Sequence, residues 1–140
     1  MLFDLRRELD DAAAAVNRIE VVRGQLEALA RVVSDADIRK AGADLNQKLM
    51  DLEMNLIDLR LTGGQDGIRY ASKLMSKINY LAGGLASGDF KPTDQQVEVQ
   101  KILADQLRGH LSQLDGLLSK ELGAFNELLR KRNVANIVVR

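Results

Sequence analysis

The chain has no cysteine and no tryptophan, and only one histidine and one proline among its 140 residues. Without cysteine there is no disulfide framework and no thiolate nucleophile or metal ligand. With His110 as the sole imidazole, a di-iron bundle is excluded, because that chemistry needs Glu-x-x-His on two helices and position 107 is Leu. A zinc site would rest almost wholly on carboxylates, which suit zinc poorly. No metal and no cofactor are therefore expected. Aromatic residues are scarce: Phe3, Tyr70, Tyr80, Phe90 and Phe125. Carboxylates are plentiful, but there is no aromatic-lined pocket to hold a sugar between two of them, as glycoside hydrolysis requires. No catalytic residue is assigned.

Charge of one sign is missing too. Twenty Lys and Arg balance twenty Asp and Glu, which speaks against nucleic acid or an anionic membrane surface as partner. No apolar run approaches the roughly 20 residues of a membrane span. The start, MLFDLRRELD, is interrupted by charge at once and has no signal-peptide h-region; in a piece of a larger protein that says nothing about secretion.

What the chain does have is a leucine-type repeat. Leu45, Leu49, Leu52, Leu56 and Leu59 step by fours and threes, as do Leu107, Leu111, Leu114 and Leu118, continuing to Phe125 and Leu128. That spacing puts each set on one helical face. A first helix is expected over about 3–33, with Leu5, Leu9, Ala12, Val16, Ile19, Val22, Leu26 and Leu29 as its apolar stripe. Ser34-Asp35-Ala36-Asp37 supplies N-cap oxygens for a second helix over about 36–60. Thr62 to Gly67 then closes it, and Ile68, Ala71, Leu74, Ile78, Leu81 and Leu85 mark a third helix over about 67–85, fraying near Gly83-Gly84. Thr93 and Gln96 have capping-box spacing after Pro92 and open a fourth helix over about 93–132. The tail 134–140 is rich in β-branched residues and suits an extended strand, which must pack on the bundle or pair with another chain to be ordered. The expected fold is all-α: a single domain over 1–140, an antiparallel up-down four-helix bundle with a short extended C-terminal tail.

Three surface features are candidate sites. In the fourth helix Gly109, Gly116 and Gly123 recur every seven residues, with Ser112 and Ser119 between them, pointing away from the leucine face. Interior glycine costs about 1 kcal/mol of helix stability relative to alanine, so the repeat suggests a flat docking face; the plain alternative is a tolerant solvent face. A basic row including Arg69 and Lys77 is expected to meet Asp58 and Asp51 across an antiparallel seam between helices two and three, setting register. Gly63, Gly64 and Gly67 with Arg69 form a glycine-rich stretch before a helix, a candidate cradle for an anion. That stretch lacks the Lys-Ser/Thr pair and preceding strand of a P-loop, and a helix connector explains it as well.

Three stretches carry a family resemblance: Leu61-Thr-Gly-Gly-Gln-Asp-Gly-Ile-Arg-Tyr70 with Lys73-Leu-Met-Ser-Lys77, then Gly88-Asp-Phe-Lys-Pro-Thr-Asp-Gln-Gln-Val97, then Ala124-Phe-Asn-Glu-Leu128. Over residues 45 to 139 the chain resembles the C-terminal helical region of large bacterial proteins with sortilin-type, BNR-repeat β-propellers, often labelled glycosyl hydrolases. The propeller itself is not in this chain: a BNR Asp-box ends in Trp, and there is none. The resemblance implies a domain of a secreted or periplasmic multidomain parent, with any hydrolase activity residing in the propeller. The expected function is a non-catalytic interaction or structural domain, docking on its parent propeller or on a protein partner. Two alternatives stand beside it: part of a glycosidase-type hydrolase with its catalytic site outside this chain, and a free-standing helical adaptor that self-associates as a homodimer.

Overall fold

A computed structural model describes residues 1–57, 73–88 and 91–139. Among these, four helical rods form an all-α bundle: α1 (Leu2–Val32), α2 (Ala36–Leu56), α3 (Leu74–Ala86), and a long last rod made of α4 (Asp94–Gly116), a π-helical turn (Leu117–Glu121) and α5 (Leu122–Lys131). The caps follow the chemistry of their residues. Asp35 Oδ1 accepts from the backbone N–H of Asp37 at 3.0 Å and of Ile38 at 3.2 Å, opening α2. Thr93 and Gln96 form the reciprocal capping box of α4: Gln96 N–H donates to Thr93 Oγ1 at 3.1 Å and Thr93 N–H to Gln96 Oε1 at 2.9 Å.

The core is built from the apolar stripes. Leu5, Ala12, Ala15, Ile19, Val22 and Leu26 of α1 are buried, as are Ile38, Leu45, Leu49, Leu52 and Leu56 of α2. Each fully buried leucine, isoleucine or valine contributes roughly 1.5–3 kcal/mol relative to exposure, the main term holding the rods together. α1 and α2 run antiparallel, as do α2 and the last rod. Arg23 on α1 reaches Asn46 and Glu53 on α2. Lys48 pairs with Glu121 at 2.8 Å, and Arg132 pairs with Asp35 and Asp37, which lays α2 along the last third of the long rod. α3 lies beside the opposite end of that rod, with Leu81 facing Val99 and Leu103 across a groove.

Five features differ from the expected pattern. α2 stops at Leu56, where Ile57 turns extended (φ −141, ψ 143), rather than running to residue 60. α3 runs on through Gly83 and Gly84 to Ala86, because Ser87 Oγ donates to Gly84 O at 3.1 Å and Ser87 N–H to Gly83 O at 3.2 Å, closing the last turn. Among the described residues α3 packs mainly on α1 and α4 and only lightly on α2, so the expected antiparallel pairing of helices two and three is not found there. The two long helices point the same way, with Glu8 beside Gln100 at one end and Arg18 beside Asp115 further along.

The last difference is the π turn. The buried residues of the long rod are Leu103, Leu107, Leu114, Leu117, Leu122, Phe125 and Leu129, while Leu111, Leu118 and Leu128 are only half-buried. From Leu117 to Leu122 the step is five residues rather than three or four, matching the i→i+5 bond that Leu122 N–H makes to Leu117 O. One extra residue in that turn rotates everything beyond it by roughly 100°, the angle of one helical residue. That rotation keeps Phe125 and Leu129 on the core.

Candidate functional site

Gly109, Ser112, Ser119 and Gly123 are exposed and Gly116 is half-exposed. A Cβ added at Gly109, Gly116 or Gly123 would meet nothing within 4 Å. None of these glycines is needed for packing inside the described chain. The π turn divides the stripe, however. Gly109, Ser112 and Gly116 share regular α-helical geometry, whereas Ser119 sits within the turn and Gly123 beyond it, swung around the rod. Ser119 Oγ is occupied locally, donating to Asp115 O at 2.7 Å. In the other direction the same seven-residue line continues to Ile102, which is 51% exposed. On the flank of that line Tyr80, Leu81, Val99 and Leu103 form the apolar part of a groove between α3 and α4 that polar side chains such as Lys77, Gln95 and Gln96 also line, and Tyr80 is 86% exposed. Periodicity alone misses this groove, because Val99 and Tyr80 belong to no core stripe and only packing decides what covers them.

Only one pair of the expected charge seam falls among the described residues, and it is not formed. Asp58 and Arg69 lie outside the described residues. Asp51 and Lys77 are described and exposed, and they do not pair; Asp51 Oδ1 accepts instead from Gln47 Nε2 at 2.8 Å on its own helix. The physical reason is the helix order, since α3 is applied to α1 and α4. Gly63, Gly64, Gly67 and Arg69 of the candidate anion site also lie outside the described residues. His110 is half-buried on α4. Among the described residues there is no group of three His, Cys, Asp or Glu placed to hold a metal, and no helix long and apolar enough to cross a membrane.

One polar centre was not anticipated. Glu53, on the α2 face that carries Leu49, Leu52 and Leu56, is completely buried. Its Oε2 accepts from Arg23 Nη1 at 3.2 Å, while its Oε1 has no hydrogen-bond partner among the described residues. Arg23 is itself nearly buried and spreads its donors further, to Asn46 at 3.0 Å, Glu20 at 3.4 Å and Glu27 at 3.3 Å. Burial, helped by the neighbouring Glu20 carboxylate and opposed by Arg23, pushes the Glu53 carboxyl up to about 7. The only trace in sequence is a Glu inside a leucine stripe, which does not say that Arg23 will reach it. A lesser version sits at the other end of the bundle. Glu8 Oε1 accepts from Gln100 Nε2 at 2.7 Å, Oε2 is buried without a partner, and burial raises this carboxyl as well.

The tail is ordered on the bundle. Asn133 takes the left-handed conformation (φ 59) just past α5. Val134 N–H then donates to Leu129 O at 2.8 Å and Asn133 N–H to Arg130 O at 3.2 Å, a Schellman closure. Beyond it Ile137 is buried against the core, while Val138 and Val139 are exposed. No strand pairs with this segment among the described residues. Side-chain amides take that place. Asn126 donates to Ile137 O at 3.1 Å and accepts from Ile137 N–H at 2.7 Å; Gln25 donates to Val138 O at 2.6 Å and accepts from Val138 N–H at 2.9 Å. Comparison with protein-family models, curated proteins and solved structures gives no match to this chain.

Proposed function

We propose that this chain is a non-catalytic helical interaction domain that docks through the outer face of α4. The carrying observation is an uncovered surface on that helix: Ile102, half exposed, stands in line with Gly109 and Gly116, where added side chains would meet open space. Beside it lies the groove whose apolar part is Tyr80, Leu81, Val99 and Leu103. Apolar surface left open next to a flat glycine track suits the close approach of another protein. The resemblance to sortilin-type β-propeller proteins supplies the partner within this reading: the propeller of a secreted or periplasmic parent, with any glycosidase chemistry located there. A second copy of the chain is the competing partner.

The test uses the double variant Ile102→Lys, Gly109→Leu. Circular dichroism should match wild type, since both positions face outward. Binding to the polypeptide encoded upstream of Met1, and self-association by sedimentation equilibrium, are then compared with wild type. Loss of binding by tenfold or more in the first assay supports docking on the parent, and in the second a homodimer. Equal behaviour of variant and wild type in both assays sinks the docking reading. An upstream reading frame without a propeller removes the family proposal. Turnover of an aryl glycoside by the purified chain, abolished by one Asp or Glu substitution, would make it an enzyme after all.

A further inference from the structure

The seat of the C-terminal tail has the composition of a peptide-binding site. In an extended chain successive residues direct their N–H and C=O groups to opposite edges. Asn126 on α5 satisfies both backbone groups of Ile137, and Gln25 on α1 satisfies both backbone groups of Val138. The two amides therefore clamp the segment from its two edges, as neighbouring strands would. A primary amide suits this task because it offers a donor and an acceptor side by side. These four bonds read only backbone, so they are indifferent to sequence. Side-chain selection rests on Ile137, which is buried, while Val138 is 55% exposed and Val139 37% exposed. Backbone bonds for affinity with one pocketed side chain for specificity is the logic of extended-peptide recognition.

We propose that the seat between α1 and α5 is a binding site for an extended peptide with a β-branched aliphatic anchor, which the chain's own tail fills in cis. The partner chemistry is taken from the occupant seen there, the run Val134-Ala-Asn-Ile-Val-Val139. The hinge is Asn133, whose left-handed conformation turns the chain out of α5. This site is separate from the α4 face and stands or falls independently of docking there. A tethered segment acts at an effective concentration of millimolar order, so a free peptide must compete against that.

The experiment uses the full chain. Ile137→Asp places a charge in the apolar seat and expels the tail. A fluorescent peptide of sequence Val-Ala-Asn-Ile-Val-Val should then bind this variant saturably, and wild type at least about a hundredfold more weakly because of the tethered competitor. Adding Gln25→Ala or Asn126→Ala should lower binding about tenfold each, through the two lost backbone bonds. A peptide with Asp in place of its Ile should not bind. Absence of binding to a folded Ile137→Asp chain overturns the proposal, as does binding that ignores Gln25 and Asn126. If Ile137→Asp does not fold, the wild-type chain decides the matter. With peptide at about 10 mM, the Val138 amide should lose its protection from hydrogen exchange, while the Gln25 and Asn126 side-chain amide signals keep their bonded shifts. An unchanged Val138 amide under those conditions refutes a peptide seat.

Discussion

Glycine in this protein has two different meanings, and only the surroundings separate them. Gly109 lies on an open face, where a methyl group would touch nothing within 4 Å. Gly42 lies where α2 crosses the long rod, and an added Cβ would sit 3.4 Å from the Phe125 ring. Gly109→Ala should therefore stabilise the chain by up to about 1 kcal/mol, since it lowers only the backbone entropy lost on helix formation. Gly42→Leu should destabilise it by about 1–3 kcal/mol, because the larger side chain must push into the Phe125 contact. Urea unfolding followed by circular dichroism measures both. A stabilising Gly42→Leu would mean that the ring yields freely, contrary to the packing described.

At the scale of elements, the capped N-termini of α2 and α4 were the most legible feature. Thr93 and Gln96 stand three apart before an apolar-periodic run, and their side chains close the capping box that this spacing implies. Thr93→Ala should accordingly cost about 0.5–2 kcal/mol, while Thr93→Ser should recover most of that loss. A Thr93→Ala chain as stable as wild type would show that the cap bonds contribute nothing. The long rod was legible as helix but not as a helix with a π turn. Leu114, Leu117, Leu118, Leu122 and Phe125 are compatible with either register, and the choice depends on which of them finds a partner on α2. Packing buries Leu117 and Leu122 and leaves Leu118 half out. Ser119, bonded back to Asp115 O, is the one local trace, because a hydroxyl on the i−4 carbonyl bends helices.

The whole molecule responds to pH through its buried carboxyl. Glu53 titrates at about 7 in the fold against an ordinary value of 4.5, so the folded state holds the proton more tightly than the unfolded chain. Its contribution to stability is fully present below about 4.5 and is lost as pH rises through about 7. That loss amounts to about 3 kcal/mol in order of magnitude. Glu8 acts in the same sense, whereas Asp35, held low chiefly by the backbone N–H of Ile38, acts in the opposite sense and only at more acid pH. Glu53→Gln keeps the shape and an acceptor for Arg23 but cannot ionise. It should match wild type near pH 4.5 and exceed it at pH 8, flattening the stability profile measured by urea titration. A parallel displacement of the two profiles would assign the pH dependence to other groups.

Periodicity and cap chemistry by themselves determined that this chain is all-α, that its helices are amphipathic, and where several of them begin. These are local properties: a 3.6-residue period selects a buried face, and a hydroxyl or carboxylate before it satisfies the first free N–H groups. They also limit the chemistry, since a chain without cysteine and with one histidine has few ligands to offer. Only the tertiary structure decided which helices are neighbours. An apolar stripe is satisfied by any other apolar stripe, so nothing in α3 announces that it will lie on α1 and α4 rather than on α2. Helix order in turn decided that Asp51 and Lys77 stay apart and that Arg23 meets Glu53 inside the core. The tail shows the same division. Its β-branched residues announce an extended segment, but residues far away in sequence, Gln25 and Asn126, had to converge before an isolated strand could be held without a sheet.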